Sequence, residues 1–190
     1  MFKTSFRLVA FLGVFLLAAV ALVAGGRAYA QAKEVKYETY VNGKYNYSIC
    51  YPAGAGMASG SERADGARFE NGRNGFTLNV KAYANKKGAS AQDILNSMVF
   101  DPKKVQNYTG DPVYPDGDVE AVWSAFRKNG SVSVREVHWG RVIIVKGEGL
   151  PQEGLVIIAH IEYPQASDGE CIRQAIRVLR SLEYRGTYNE

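Results

Sequence analysis

The chain has 190 residues with a formal net charge of +4, and 46% of its residues are hydrophobic. A chain of this length and composition can bury a core of its own. Most of this net charge comes from three basic residues near the N-terminus, Lys3, Arg7 and Arg27. Without them, 20 of the 23 basic residues remain against 19 acidic residues. A nearly neutral remainder does not indicate nucleic acid or an anionic membrane as a partner.

The first 30 residues have the order of a secretory signal peptide. Two basic residues precede an uncharged apolar run from Leu8 to Ala24, and Ala28 and Ala30 occupy the small-residue positions of a cleavage site. We expect residues 1–30 to be a signal peptide cleaved near Ala30, and residues 31–190 to be one globular domain, periplasmic or secreted. An uncleaved anchor is the alternative, because the run has nearly the roughly 18 residues that span a bilayer. No later run is long enough for membrane insertion.

Two hairpins are predicted next. Asn42-Gly43 separates two stretches of alternating apolar and polar residues, and this dipeptide favours a two-residue type I′ turn. Pro52 ends the second strand, whose apolar face carries Tyr45, Tyr47, Ile49 and Tyr51. A second hairpin is expected from residues 67–70 and 75–83. A helix then begins at Ser90, with Asp93 in capping-box position, and ends at Asp101-Pro102.

The rest of the chain predicts more antiparallel strands and a final helix. Residues 119–127 and 131–139 form one predicted hairpin, and residues 141–147 pair with 154–164. The run "LVIIAHI" is apolar at successive positions, which indicates burial on both faces. The final helix spans about 168–182, with an apolar stripe of Ile172, Ala175, Ile176, Leu179 and Leu182. Many strands with two helices predict an α+β fold, an antiparallel sheet with helices packed on it.

Residues 42–52, "NGKYNYSICYP", resemble the opening signature of PsbP-like domains, which runs aromatic-Gly-aromatic-Ser-aliphatic-x-Tyr-Pro. The stretch at 67–83 and the closing order of strand, Tyr-Pro and helix are also similar. The sequence departs from the pattern at Asn46, where glycine is usual. The resemblance implies a PsbP-like α/β/α sandwich and a protein that binds partners rather than catalyses, although a fold alone does not assign a function.

Cys50 and Cys171 are the two cysteines of the chain. In an oxidising compartment they allow one disulfide, which would tie the first hairpin to the last helix. Closing a loop of this length would stabilise the fold by about 4–5 kcal/mol in the chain-entropy model. Two free buried thiols are the alternative.

Candidate site residues are few. His138 and His160 are the only histidines, and neither has a second ligand at helix or hairpin spacing, so no metal site and no cofactor are expected. His160 is interpreted as a core or edge histidine. His138 shares a strand face with Glu136, which makes a weak pocket candidate together with Asp116 and Asp118 of the preceding loop. That loop resembles the start of a calcium-binding loop, but Arg127 stands where the bidentate glutamate is needed, so a solvated turn is expected.

Arg173, Arg177 and Arg180 lie on the side of the last helix away from its apolar stripe. They form either a solvated face or a docking strip for an acidic partner. The leading hypothesis is a non-enzymatic accessory or adaptor protein that binds another exported or envelope protein. The alternatives are a small-ligand or metal-responsive binding protein and a periplasmic inhibitor or immunity protein. A hydrolase is the weakest hypothesis, since no Gly-x-Ser-x-Gly is present.

Overall fold

The computed structural model describes residues 34–60, 64–99, 105–110, 118–129 and 132–186. The predicted signal peptide, the Asp101-Pro102 helix stop, Asp116 and Gly130 lie outside these residues. The described strands are β1 (Tyr37–Asn42), β2 (Tyr47–Pro52), β3 (Gly56–Gly60), β4 (Gly66–Asn71), β5 (Phe76–Ala84), β6 (Val105–Gly110), β7 (Val119–Asn129), β8 (Val132–Val145), β9 (Leu155–Pro164) and β10 (Glu183–Tyr184). The described helices are α1 (Ala91–Val99), a 3-10 helix (Gln165–Ser167) and α2 (Asp168–Arg180).

The strands form two antiparallel sheets. The large sheet has the order β3-β4-β5-β9-β8-β7-β6, and the small sheet has the order β1-β2-β10. On one face of the large sheet, α2 and the small sheet enclose the main core, which includes Tyr47, Phe69, Ile161 and Leu179. On the other face, α1 packs over a smaller core that includes Leu95, Trp123 and Ile158. The predicted α+β fold is therefore confirmed.

Strand β9 lies at the centre of the large sheet, and its first five residues are buried on both faces. This confirms the interpretation of the apolar run that begins at Leu155. Beyond Ala159 the pattern alternates, so that Ile161 and Tyr163 stay buried while His160 and Glu162 on the opposite face are half-buried. One face of β9 thus changes from apolar to polar at His160.

The first turn differs from the prediction. Asn42 pairs with Tyr47, so four residues connect β1 and β2 instead of a two-residue type I′ turn. The left-handed residue of this loop is Asn46, with φ 51°. Asparagine tolerates this conformation better than most residues other than glycine. The conformation therefore accounts for an asparagine at the position where PsbP-like domains carry glycine.

Helix α1 begins with the predicted capping box. The Ser90 N–H donates to Asp93 Oδ2 at 3.3 Å, and the Asp93 N–H donates to Ser90 Oγ at 3.1 Å. Two of the free N–H groups of the first turn are satisfied in this way. Neither α1 nor the other helices of the described residues have the length and apolar character that a bilayer-spanning helix requires.

Helix α2 is held at both ends. In its first turn, Asp168 accepts a hydrogen bond from the Tyr163 hydroxyl at 2.9 Å. In its last turn, the carbonyl oxygen of Leu179 accepts one from Arg141 Nη1 at 2.6 Å. Arg141 Nε also donates to both carboxylate oxygens of Asp118, at 3.1 Å each. The guanidinium therefore links the start of β7, strand β8 and the end of α2.

The buried face of α2 is rotated relative to the predicted stripe. It consists of Cys171, Gln174, Ala175, Val178 and Leu179. Ile172, a member of the predicted stripe, is 36% exposed. Ala175 and Leu179 lie in the core as predicted.

The structure corrects the expected disulfide, because Cys50 and Cys171 are free thiols. The Cys50 N–H donates to Ser181 Oγ at 2.8 Å, which places Cys50 beside the C-terminal end of α2. Cys171 lies in the first turn of the same helix, and the intervening residues rise by about 15 Å along its axis. Disulfides require Cα atoms within about 7 Å. Burial also raises the pKa of the Cys171 thiol to about 12, so this group stays protonated.

We predict that Arg141→Met lowers the free energy of unfolding by about 3–5 kcal/mol, because it leaves the buried Asp118 carboxylate without its partner. Urea denaturation measures this change. The double variant Asp118→Leu/Arg141→Met, which removes both charges, should recover part of the loss. A single variant as stable as the wild type would show that the ion pair does not hold α2 on the sheet.

Candidate functional site

Cross-strand register brings the candidate side chains together on the α1 side of the large sheet. His138 pairs with Glu162 on β9 and with Trp123 on β7, and Gly140 pairs with His160. Residues paired in this way point to the same face, as do residues two positions apart on one strand. The two histidines, which are far apart in sequence, therefore lie in adjacent rows of one sheet face.

The two imidazoles are in direct contact. His138 Nδ1 lies 3.2 Å from His160 Nε2, and the ring planes are within 3° of parallel. His138 is only 8% exposed. Its other ring nitrogen, Nε2, is buried without a hydrogen-bond partner. A buried polar atom without a partner lowers stability, so this atom requires an explanation.

Trp123 forms one wall of the site. Its ring is nearly parallel to both imidazoles, with centroids 5.4 Å from His138 and 5.5 Å from His160. The absence of a side chain at Gly140 makes room for this ring, because a Cβ there would lie 3.0 Å from Trp123 Cζ3 and 2.9 Å from Leu95 Cδ1. A larger residue at position 140 would push the indole away from the histidines.

Two carboxylates flank His138 on opposite sides. Glu162 Oε2 lies 3.9 Å from Nδ1, and Glu136 Oε2 lies 4.0 Å from Nε2. Each carboxylate also faces an arginine, with Arg127 Nε 2.7 Å from Glu136 and Arg68 Nη2 4.0 Å from Glu162. Burial raises the pKa of Glu136, and the Arg127 charge opposes this shift.

Both histidines are neutral at physiological pH. Burial lowers the pKa of His138 to about 4. The pKa of His160 falls to about 3 because of burial first, with further contributions from His138, Lys81 and Arg68. Neutral imidazoles carry free lone pairs, and only this form can bind a metal ion.

His138, His160 and Glu162 each offer one ligand atom, and these three atoms all lie within 4.8 Å of one another. Two nitrogens bound to a tetrahedral zinc ion at 2.0–2.1 Å are about 3.3 Å apart. The observed separation of 3.2 Å between the imidazole nitrogens matches this distance. The two imidazole nitrogens thus have the spacing of a direct N–H···N hydrogen bond and also that of two metal ligands, with the Glu162 oxygen 3.9 Å from His138 Nδ1 beside them.

His160 also lines a cavity of 560 Å³. Its lining includes His160, Asn79, Lys81 and Arg68, with Met98 of α1 at one side. A cavity of this size admits a small molecule as well as a metal ion.

The structure separates the residues of the weak pocket candidate. Glu136 and His138 lie together on the α1 face. Asp118 is bound to Arg141, which lies on the opposite face of β8 because it is an odd number of residues from His138. Asp118 is thus a structural residue and does not contribute to the pocket, and Asp116 lies outside the described residues.

The sequence patterns did not predict that His160 and Glu162 lie beside His138, because the predicted pairing of 141–147 with 154–164 begins after His138. The predicted pairing of 141–147 with 154–164 contained the missing signal. When Val145 is set opposite Leu155, the same register continues to Gly140 opposite His160 and His138 opposite Glu162. Extending the hairpin register along both strands identifies the cluster.

Arg173, Arg177 and Arg180 are exposed on α2, as expected from the helical phase. Arg177 lies over the Tyr37 ring, with its guanidinium carbon 4.3 Å from the centroid. None of the three forms an ion pair with a carboxylate of the described residues. They line a groove of 470 Å³ together with Cys50, Ile176 and Ser181.

Comparison with solved structures identifies the fold. Cyanobacterial PsbP (CyanoP) from Synechocystis sp. PCC 6803 superposes with a TM-score of 0.53 at 13% identity, covering 82% of this chain and 96% of that one. The chain has a PsbP-like fold. LpqN of Mycobacterium tuberculosis, a protein involved in cell envelope biogenesis, gives a TM-score of 0.46 at 8% identity over 81% of this chain and 93% of its own. No family model and no curated protein matches the sequence. The resemblance inferred from residues 42–52 is thus confirmed for the fold.

We predict that the neutral histidines make stability fall as the pH is lowered from about 6.5 towards 4. In that window the unfolded chain binds protons at His138 and His160, whereas the folded chain does not. Each histidine contributes a slope of up to about 1.4 kcal/mol per pH unit. The free energy of unfolding, measured by urea denaturation at several pH values, checks this.

The double variant His138→Gln/His160→Gln is the control, because it leaves the other titrating groups in place. It should show a shallower pH dependence between pH 6.5 and 4. If its curve runs parallel to that of the wild type, the folded histidines titrate normally and the description of their environment is wrong.

Proposed function

We propose that the protein is an exported, non-catalytic accessory protein that binds a divalent transition-metal ion through His138, His160 and Glu162. The observation that carries this proposal is the 3.2 Å separation of His138 Nδ1 and His160 Nε2 on a shared sheet face. It revises the expectation that no metal site is present and favours the metal-responsive alternative.

The ligand set selects the class of metal. Two imidazole nitrogens and one carboxylate oxygen suit Zn²⁺, Cu²⁺ or Ni²⁺. Ca²⁺ and Mg²⁺ prefer sites built from oxygen ligands. Two nearby arginines reduce the negative charge that a hard cation would need, since Arg127 pairs with Glu136 and Arg68 approaches Glu162. A borderline metal that binds neutral imidazole is therefore the best fit.

Metal binding would also account for the unpaired Nε2 of His138. When Nδ1 binds the metal, Nε2 carries the proton, and Glu136 Oε2 is the acceptor that lies 4.0 Å away. Histidine ligands in metal sites usually donate their second N–H to a carboxylate or carbonyl, which orients the ring and raises its basicity. Glu136 is thus the positioning residue for His138, and a small movement of its side chain closes the hydrogen bond.

Export is proposed from the leader pattern, in which Lys3 and Arg7 precede the apolar run and Ala28 and Ala30 mark the cleavage site. An accessory role is supported by the PsbP-like fold and by the α2 surface. Arg173, Arg177 and Arg180 are exposed cations around one groove, and their charge suits an acidic surface on another exported or envelope protein.

We predict that the protein, purified without a histidine tag, binds one Zn²⁺ ion as measured by isothermal titration calorimetry. His138→Ala and His160→Ala should each weaken binding by roughly 100-fold or more, because each removes a ligand. Glu136→Gln should weaken it by about 10-fold, since it replaces the orienting carboxylate with a neutral and weaker acceptor. Glu38→Gln, a carboxylate of the small sheet, is the matched control and should leave the affinity unchanged.

Trp123 provides a second readout in the same protein. Its indole contacts both histidines, so bound Cu²⁺ should quench its fluorescence, and Trp123→Phe should remove that part of the signal. Thermal unfolding without metal verifies that each variant is folded. Zinc affinity that is unchanged in a folded His138→Ala variant would overturn the proposed site.

A further inference from the structure

The cavity beside the histidines carries positive charge on the side facing the proposed metal. Asn79 pairs with His160 across β5 and β9, and Arg68 pairs with Asn79 across β4 and β5. Lys81 lies two residues beyond Asn79 on the same face, opposite Ile158. Lys81, Asn79, Arg68 and His160 all line the cavity. A polar wall therefore extends from His160 away from Trp123.

The two basic side chains of this wall differ in their acidic partners. Arg68 has acidic partners, since its Nε contacts Glu70 Oε1 and its Nη2 lies 4.0 Å from Glu162. Lys81 forms no ion pair with a carboxylate of the described residues, and its ammonium lies 5.9 Å from the Tyr83 ring centroid. Asp65 is the one acidic residue among those that line the cavity. With a divalent cation at the histidines, the cavity has a net positive charge.

The coordination sphere has room on this side. Three protein ligands leave at least one position of a four- or five-coordinate metal for an exogenous group. Trp123 and Leu95 occupy the space towards β7 and α1, where Gly140 brings them close to the sheet. The cavity of 560 Å³ beside His160 is larger than a single water molecule needs.

We propose that the bound metal takes a small oxyanion, a carboxylate or phosphate group, as its further ligand, and that Lys81 pairs with this anion in the cavity. This inference rests on the metal site proposed above. One anion oxygen binds the metal and another accepts a charge-assisted hydrogen bond from the ammonium, which makes the site specific for a metal–anion complex. The protein then binds the metal together with its anionic ligand.

The test uses the protein loaded with one equivalent of Co²⁺, whose visible spectrum reports its coordination. Oxalate and inorganic phosphate are titrated separately, which distinguishes a carboxylate from a phosphate ligand. Cobalt is then measured in the protein fraction after gel filtration, so that extraction of the metal is not read as binding. We expect saturable spectral changes with at least one anion while the cobalt stays bound.

Lys81→Gln should weaken anion binding by roughly 10-fold or more, because it removes a charge-assisted hydrogen bond. Lys81 and Lys86 are both exposed, but Lys86, in the turn after β5, does not line the cavity, so Lys86→Gln is the matched control and should bind the anion as the wild type does. Both variants should bind Co²⁺ itself with unchanged affinity.

Four outcomes would overturn the inference. If Co²⁺ binds and neither anion changes its spectrum, the metal site stands and the anion site is wrong. The same conclusion follows if Lys81→Gln binds the anion as well as the wild type, or if the anion only extracts the metal. If neither Co²⁺ nor Zn²⁺ binds the wild-type protein, the metal site and the anion site both fail; if Zn²⁺ alone binds, calorimetric titration of the zinc-loaded protein with the same anions decides the anion site.

Discussion

The two faces of the large sheet are covered to different extents, and this difference determines where polar side chains can be desolvated. One face is closed by α2 and the small sheet, and Tyr163 and Arg141 fix the two ends of that helix. The other face carries the nine-residue helix α1 over one end of β7, β8 and β9. Along β9, among the described residues, the polar positions of that face follow directly after its apolar positions. A half-covered face can hold side chains that are desolvated and still reachable from a cavity.

The histidine cluster lies at this boundary. Strand β9 is buried on both faces as far as Ala159, and His160 is the first polar residue on the α1 side. Burial keeps His138 and His160 neutral, while Glu136 and Glu162 place acceptors near His138 on both sides. Gly140 allows Trp123 to lie against both rings. The arrangement lowers the stability of the protein, because Nε2 of His138 is buried without a hydrogen-bond partner. A feature that lowers stability without helping the packing is typical of a functional site.

Local sequence patterns predicted much of the fold. Alternation and turn residues identified the hairpins, the capping box at Ser90 placed the start of α1, and the motif at residues 42–52 indicated the PsbP-like fold. The errors concern long-range geometry. The helical phase of α2 did not show that Cys50 lies beside the C-terminal end of this helix, whereas Cys171 lies in its first turn. The sequence also did not show that Asp118 binds Arg141. The histidine cluster was not predicted because His138, His160 and Glu162 become neighbours only through the register of β8 and β9.

His138, His160 and Glu162 are proposed to converge on one metal ion. X-ray absorption spectroscopy of the zinc-loaded protein at the zinc edge tests this most directly, since imidazole ligands scatter characteristically. We expect two imidazole nitrogens at about 2.0–2.1 Å with one or more oxygen ligands, and the loss of one imidazole in His160→Ala. A zinc shell of oxygen atoms alone, or one that is identical in wild type and His160→Ala, would contradict it.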